Sequence, residues 1–277
     1  MGKDILVLLG SDSDKQKVLP KVEEVFKETD FNYTCSLASS HRTPELVAER
    51  IHEKGYDGII TAGGLSLILT ADTIREVERG RRNEKSPYYG RWTPVISVPL
   101  SDTVSGGLTA LLSIQETPSG YPASVVGIDR ADTAARCMKN ILGNEYKRTS
   151  LAVDYKPSLD LVQNIKEALR KLNIEYDHKE DFSQSDNFYM YCYSYNTSLE
   201  SMESAGSFYI AVKSKRQTNL KRYEQTISKL NNALNVSIGN PDNAAILAAQ
   251  ILSLKNPSLL DAIDLYREAG RRKYYEV

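Results

Sequence analysis

The chain has 277 residues, 26% of them charged and 41% hydrophobic, and a formal net charge of -1, so it is globular in composition and long enough for one large domain or two ordinary ones. The balanced charge excludes the basic excess expected of a nucleic-acid-binding surface, and no segment approaches the roughly 20 apolar residues of a membrane span or the apolar core of a signal peptide. Cys35, Cys137 and Cys192 stand far apart without a C-x-x-C pair, which argues against a disulfide framework or a zinc site and suits a reducing, cytoplasmic setting.

Ile5–Leu9 is a continuous apolar run closed by Gly10, the pattern of a buried parallel strand meeting a tight turn. Ser11-Asp12-Ser13-Asp14 follows, ahead of the helical spacing of Val18, Val22, Val25 and Phe26. Ser and Asp are good N-caps, but four in succession exceed what capping needs, so a phosphate or ribose site at a helix N-terminus is the functional reading beside the structural one. A second strand over roughly Phe31–Ala38 leads into Ser39-Ser40-His41-Arg42-Thr43, and a helix is predicted from about Pro44 to Lys54, with Pro44 and Glu45 suited to its first turn. His41 and Arg42 therefore stand at a strand's carboxyl end, where open α/β sheets bind ligands. An imidazole and a permanent cation beside hydroxyls can hold an anion and move a proton. Tyr56–Ala62 reads as a third strand ending at Gly63-Gly64, which serve either an ordinary turn or close approach of backbone to a ligand. Strand, loop and helix thus recur, predicting a right-handed parallel α/β sheet with all three loops on one rim.

Leu65–Val77 reads as a helix, and Glu78–Pro87 as a charged, solvated excursion ending in Tyr88, Tyr89 and Trp92. Val95–Val98 is a fourth strand, Ser105-Gly106-Gly107 opens a helix through Ile114, and Pro118–Pro122 is a turn. Ser124–Ile128 is a fifth strand, followed by a helix over about Ala131–Leu142. Beyond residue 147 the pattern restarts: Ser150–Tyr155 resembles the first strand, and Leu159–Leu172 has the spacing of the first helix. Ile128, Asp132, Ala134-Ala135 and Ile141-Leu142 recur at a constant offset of 110 as Ile238, Asp242, Ala244-Ala245 and Ile251-Leu252. Internal repetition accounts for this, with a domain at 1–147 and a degenerate repeat at 148–277. The copies differ in chemistry. Tyr155-Lys156-Pro157-Ser158 replaces the Gly10–Asp14 turn, and only Gly206, Gly239 and Gly270 of sixteen glycines fall after residue 150. His178 lacks a following Arg-Thr-Pro and reads as a surface histidine.

Gly10-Ser11-x-Ser13-Asp14, Ser39-x-His41-Arg42-Thr43-Pro44, Ala62-Gly63-Gly64, and Leu111-Leu112-Ser113-Ile114 with Pro118-x-Gly120-x-Pro122 together resemble the phosphoribosylaminoimidazole carboxylase family, which includes the N5-carboxyaminoimidazole ribonucleotide mutases. The resemblance runs from residue 4 to about 142, and Asn243–Leu252 is similar to the family's C-terminal helix. It implies a flavodoxin-like three-layer sandwich on a parallel sheet, an octamer of single domains, and a site near subunit boundaries that needs no cofactor or metal. It implies that Ser11, Ser13, Asp14 and Arg42 bind the ribonucleotide's phosphate and ribose, that His41 is the general acid and base, and that Ser39, Gly63, Gly64 and Ser66 line the pocket. The aminoimidazole ring is enamine-like, so its C4 can attack carbon dioxide unaided and then lose a proton to an imidazole.

After the paired glycines the mutase branch has Ala-Ala-His-Leu-Pro-Gly, where this chain has Leu65-Ser66-Leu67-Ile68-Leu69-Thr70-Ala71. Gly64-Leu65-Ser66-x-x-Leu69 looks more like the direct carboxylase branch, whereas Arg42-Thr43-Pro44 fits the mutase branch. The expected reaction is formation of 4-carboxy-5-aminoimidazole ribonucleotide from 5-aminoimidazole ribonucleotide and carbon dioxide, with the mutase reaction as the alternative. A carboxylase acting on another nucleotide and a non-catalytic ribonucleotide-binding protein are the competing accounts. Tandem halves within an octamer-forming family imply a homo-oligomer, a tetramer of two-domain chains in which the second repeat is a scaffold and lends its 243–252 helix to a neighbour.

Overall fold

The computed structural model describes residues 2–64, 68–102, 104–153, 159–178, 187–193, 208–213, 220–236 and 238–272. In the first half β1 (Asp4–Leu9), β2 (Asn32–Leu37), β3 (Gly58–Gly63), β4 (Val95–Pro99) and β5 (Ser124–Val125) alternate with α1 (Lys15–Phe26), α2 (Pro44–His52), α3 (Ile68–Arg81), α4 (Leu108–Gln115) and α5 (Ala131–Gly143). The second half holds β6 (Arg148–Val153), α6 (Leu159–Lys171), β7 (Tyr176–His178), β8 (Asn187–Tyr193), β9 (Tyr209–Lys213), α7 (Leu220–Ser228), β10 (Ala233–Val236), α8 (Pro241–Ser253) and α9 (Leu259–Arg272).

All ten strands form one sheet, in the order β2-β1-β3-β4-β5-β10-β9-β8-β6-β7. Neighbours within each half are parallel, and β5 meets β10 antiparallel through Val125 opposite Asn235 and Ser124 opposite Val236. Each half therefore has the doubly wound order second-first-third-fourth-fifth, and the two rows join at their fifth strands. The antiparallel join reverses strand direction, so the carboxyl ends of the two halves lie along opposite edges of the molecule.

Period-two alternation divides the core. Ile5, Val7 and Leu9 pack with Val18, Val22 and Phe26 of α1 and with Ala134, Cys137, Met138 and Ile141 of α5, in a cluster that continues to Ile165 of α6, Phe188 and Leu247 of α8. Leu6 and Leu8 face the other way, against Val47 and Ile51 of α2, Val77 of α3 and Leu111 of α4, continuing to Tyr189, Tyr209 and Tyr223. The result is the expected flavodoxin-like three-layer α/β sandwich. β2 ends the sheet, and its residues are half-buried or exposed, as on an edge strand.

Two sequence expectations need correction. The charged run after Val77 is not merely solvated: α3 continues to Arg81, whose side chain is 7% exposed, and Tyr88 and Trp92 are buried. Arg81 tolerates burial because Glu78 accepts from its Nε at 3.1 Å and Asp264 of α9 from its Nη2 at 2.6 Å. The fifth strand stops at Val125 rather than Ile128. There the backbone closes on Ser228, leaving room only for Gly127, whose Cβ would lie 2.8 Å from the Ser228 Cα, and Asp129 takes φ 58° to turn into α5. Among the described residues no helix is long and apolar enough to cross a membrane.

Candidate active site

Four loops gather at the carboxyl ends of β1 to β4, around the point where the chain switches from one side of β1 to the other. After β1, Asp12–Asp14 forms a 3-10 turn in which the Ser11 N–H donates to Asp14 Oδ2 at 3.0 Å and the Ser11 and Ser13 hydroxyls lie 2.8 Å apart. Asp14 thus serves the turn itself, through one of its two oxygens. After β2, Thr43 closes a loop on Ser39: the Ser39 N–H donates to Thr43 Oγ1 at 3.0 Å, and the Thr43 N–H to the Ser39 carbonyl at 2.8 Å. That closure sets Arg42 so that its Nη2 donates to the Gly10 carbonyl at 3.0 Å, tying the second loop to the first. His41 is exposed at the same loop, where its imidazole faces solvent.

Gly63 and Gly64 end β3 beside these loops: the Gly10 N–H donates to the Ala62 carbonyl at 3.2 Å and the Leu100 N–H to the Gly63 carbonyl at 2.8 Å. The structure brings Ser11, Ser13, Asp14, Ser39, His41, Arg42, Gly63 and Gly64 onto one rim. Ser66, with the rest of Leu65-Ser66-Leu67, lies outside the described residues.

Three supports were not anticipated from the sequence. Beneath the glycine pair, Thr70 of α3 bonds Thr61 of β3 at 2.6 Å and Ser97 of β4 at 2.8 Å, all three fully buried, so a chain of hydroxyls fixes the start of α3 to the sheet. Asp102 organises the loop after β4: it accepts from the backbone N–H groups of Val104 (2.7 Å), Ser105 (2.6 Å) and Gly107 (3.0 Å), and from the Ser105 hydroxyl (2.7 Å). The Ser105 bonds foremost, with those of Val104 and Gly107, hold its carboxyl down to about 2. A Cβ on Gly64 would stand 4.0 Å from the Asp102 Cβ, so this loop walls the crevice. Lys17 of α1 donates to the Ser101 carbonyl at 2.6 Å, and the Ser101 N–H to Asp129 Oδ1 at 2.9 Å. Asp102 followed by Ser105 and two glycines is an Asx-turn pattern, legible in retrospect.

Hydroxyls, a guanidinium and an imidazole thus stand together at the switch point of a doubly wound α/β sheet, the position at which open α/β sheets generally take their ligands. The family model described as AIR carboxylase matches residues 91–160. The N5-carboxyaminoimidazole ribonucleotide mutase of Methanocaldococcus jannaschii is 35% identical over 138 residues, covering 50% of this chain and 78% of that protein. The corresponding mutase of Pyrococcus horikoshii is 33% identical over 147 residues, 50% of this chain and 72% of that protein, and that of Thermotoga maritima 29% over 154 residues, 54% and 81%. The chain belongs to the AIR carboxylase family.

Proposed function

We propose that the chain converts N5-carboxyaminoimidazole ribonucleotide into 4-carboxy-5-aminoimidazole ribonucleotide, the mutase reaction, in place of the direct carboxylation that the residues after Gly64 suggest. The observation that carries this is the similarity, at 35% identity, to a protein named as that mutase, joined to a rim with Ser11, Asp14, His41 and Arg42 all present. Arg42 and the Ser11–Ser13 hydroxyls hold the phosphate and ribose, using charge-assisted bonds and the amino end of a helix. The N5–carboxyl bond breaks, releasing carbon dioxide inside the crevice and leaving the amine to take a proton. Ring C4 then attacks the carbon dioxide, and its proton leaves. His41, as base at C4 and acid at N5, makes the exchange neutral overall. The glycine pair Gly63-Gly64 lets backbone come close to carbon dioxide held against C4 and helps keep water out.

The test is a pair of assays without ATP: one offers N5-carboxyaminoimidazole ribonucleotide, the other 5-aminoimidazole ribonucleotide with bicarbonate. Turnover confined to the first supports the mutase, and rapid turnover of the second at modest bicarbonate makes the protein a direct carboxylase. Silence in both leaves a non-catalytic nucleotide-binding protein. On the same reading the assembly is a homo-oligomer, a tetramer whose eight halves correspond to the family's eight domains; a monomeric mass at micromolar concentration contradicts it.

A further inference from the structure

We propose that the second half is a partner subunit built into the chain, meeting the first half as an isologous pair about a pseudo-twofold axis that runs through the Val125–Asn235 pair, normal to the sheet. In an isologous contact, residue i touches j wherever the counterpart of i touches the counterpart of j. Here the counterpart lies 110 residues away, and the facing pair Val125–Asn235 is its own image under that relation. Helices α5 (131–143) and α8 (241–253) begin and end at matching positions. The turns before them match too: Asp129 at φ 58° donates its N–H to the carbonyl ending β4 at 2.8 Å, and Gly239 at φ 62° to the carbonyl ending β9 at 2.6 Å.

The contacts across the axis come in two reciprocal clasps. At the start of α8, Asn243 accepts from the Tyr121 N–H at 2.9 Å and donates to the Pro118 carbonyl at 3.0 Å, while Asp242 accepts from Ser119 at 2.5 Å. At the start of α5, Thr133 donates to the Leu230 carbonyl at 3.4 Å, and Arg130 donates to the Ser228 carbonyl and, at 2.6 Å, to Asn231. Pro118 and Ser228 are counterparts, as are Thr133 and Asn243. The same loop is therefore gripped by the same helix end on either side, each half holding the other's. Every residue of α8 from Asn243 to Ser253 is buried, which marks a helix enclosed on all sides rather than a surface helix. The helix packs on α6, α9 and β9, and reaches the first half of its own chain through Asn243 and Gln250.

The test leaves the full chain intact until folded and does not depend on the enzymatic reading. A specific protease site is inserted between Gly143 and Tyr146, the purified protein is cleaved there, and the products are run on native size exclusion at falling concentration. The expected result is that both fragments co-elute at the mass of the uncut chain and unfold in a single transition. Asn243→Ala in the cleaved protein is expected to weaken fragment association by about 10-fold or more, since it strands a buried donor and acceptor, and Lys229→Ala, on the exposed side of the opposite loop, is expected to leave it unchanged. Separation of the wild-type fragments without denaturant, two independent transitions, or an Asn243→Ala pair that associates as tightly as wild type would each overturn the proposal.

Discussion

At the scale of single residues, His41 and Asp102 differ in their surroundings. His41 is exposed at the rim, and on the proposed mechanism His41→Asn is expected to lower turnover by about 10^2- to 10^4-fold, the usual worth of a general acid or base, while nucleotide affinity by calorimetry changes little. Equal loss of both would move His41 from proton transfer to binding. Asp102, by contrast, is occupied with its own loop and is held down to about 2. Its folded value lies below the unfolded value of roughly 3.9, so the unfolded state takes up the proton first on acidification. The stability it lends is present above that value and is lost as pH falls toward 2. Thermal midpoints measured between pH 5 and 2 should fall less steeply in Asp102→Asn than in the parent chain. The rim residues were legible because Ser, Asp, His and Arg stood where strands were predicted to end. Thr61, Thr70 and Ser97 were not legible: a buried hydroxyl inside an apolar run looks like a β-branched or small filler until its partners on two other elements are known.

At the scale of elements, hydrophobic period located β1 to β4, and the Pro44 start located α2, to within a few residues. Pairing decided the rest. Whether Ser124–Ile128 stays in the sheet depends on Ser228, and whether α3 passes Val77 depends on Asp264, which is 183 residues from Arg81. No local pattern carries that information. Packing of β3 against α5 makes a sharper prediction. A Cβ on Gly58 would lie 2.3 Å from the Met138 sulfur, so Gly58→Ala is expected to destabilise by about 1–3 kcal/mol through overpacking, read as a shift of the urea midpoint. Met138→Ala in the same chain should recover part of that loss; strict additivity of the two changes would show that they do not meet.

At the scale of the whole molecule, the halves are also joined at α3, α8 and α9. Glu78 accepts from Arg81 at 3.1 Å, from Arg267 at 3.1 Å and from Gln250 at 3.2 Å, with Arg81 and Arg267 only 7% and 8% exposed. Arg81→Ala removes one cation from the cluster while Glu78 keeps Arg267 and Gln250 and Asp264 keeps Arg82, so it is expected to cost about 1–3 kcal/mol. Replacing Arg81, Glu78 and Arg267 together by apolar residues of similar volume should cost far less, and denaturant unfolding of the two variants compares them directly. The strand order, second-first-third-fourth-fifth in either half, is the observation beside which the constant spacing in the sequence is set, and the reversal at β5 and β10 lay beyond reach, because two residues of pairing leave no periodicity to read.

That reversal has an evolutionary consequence. When identical chains assemble about an axis, one codon writes both sides of the contact, and a mutation must suit both at once. From β5 and β10 into the helices that follow, the two sides have separate codons: valine faces asparagine at 125 and 235, aspartate stands at 129 where glycine stands at 239, and threonine at 133 where asparagine stands at 243. Selection can then hold the Ser11 to Arg42 rim unchanged on one side while the other side drifts toward whatever best supports it.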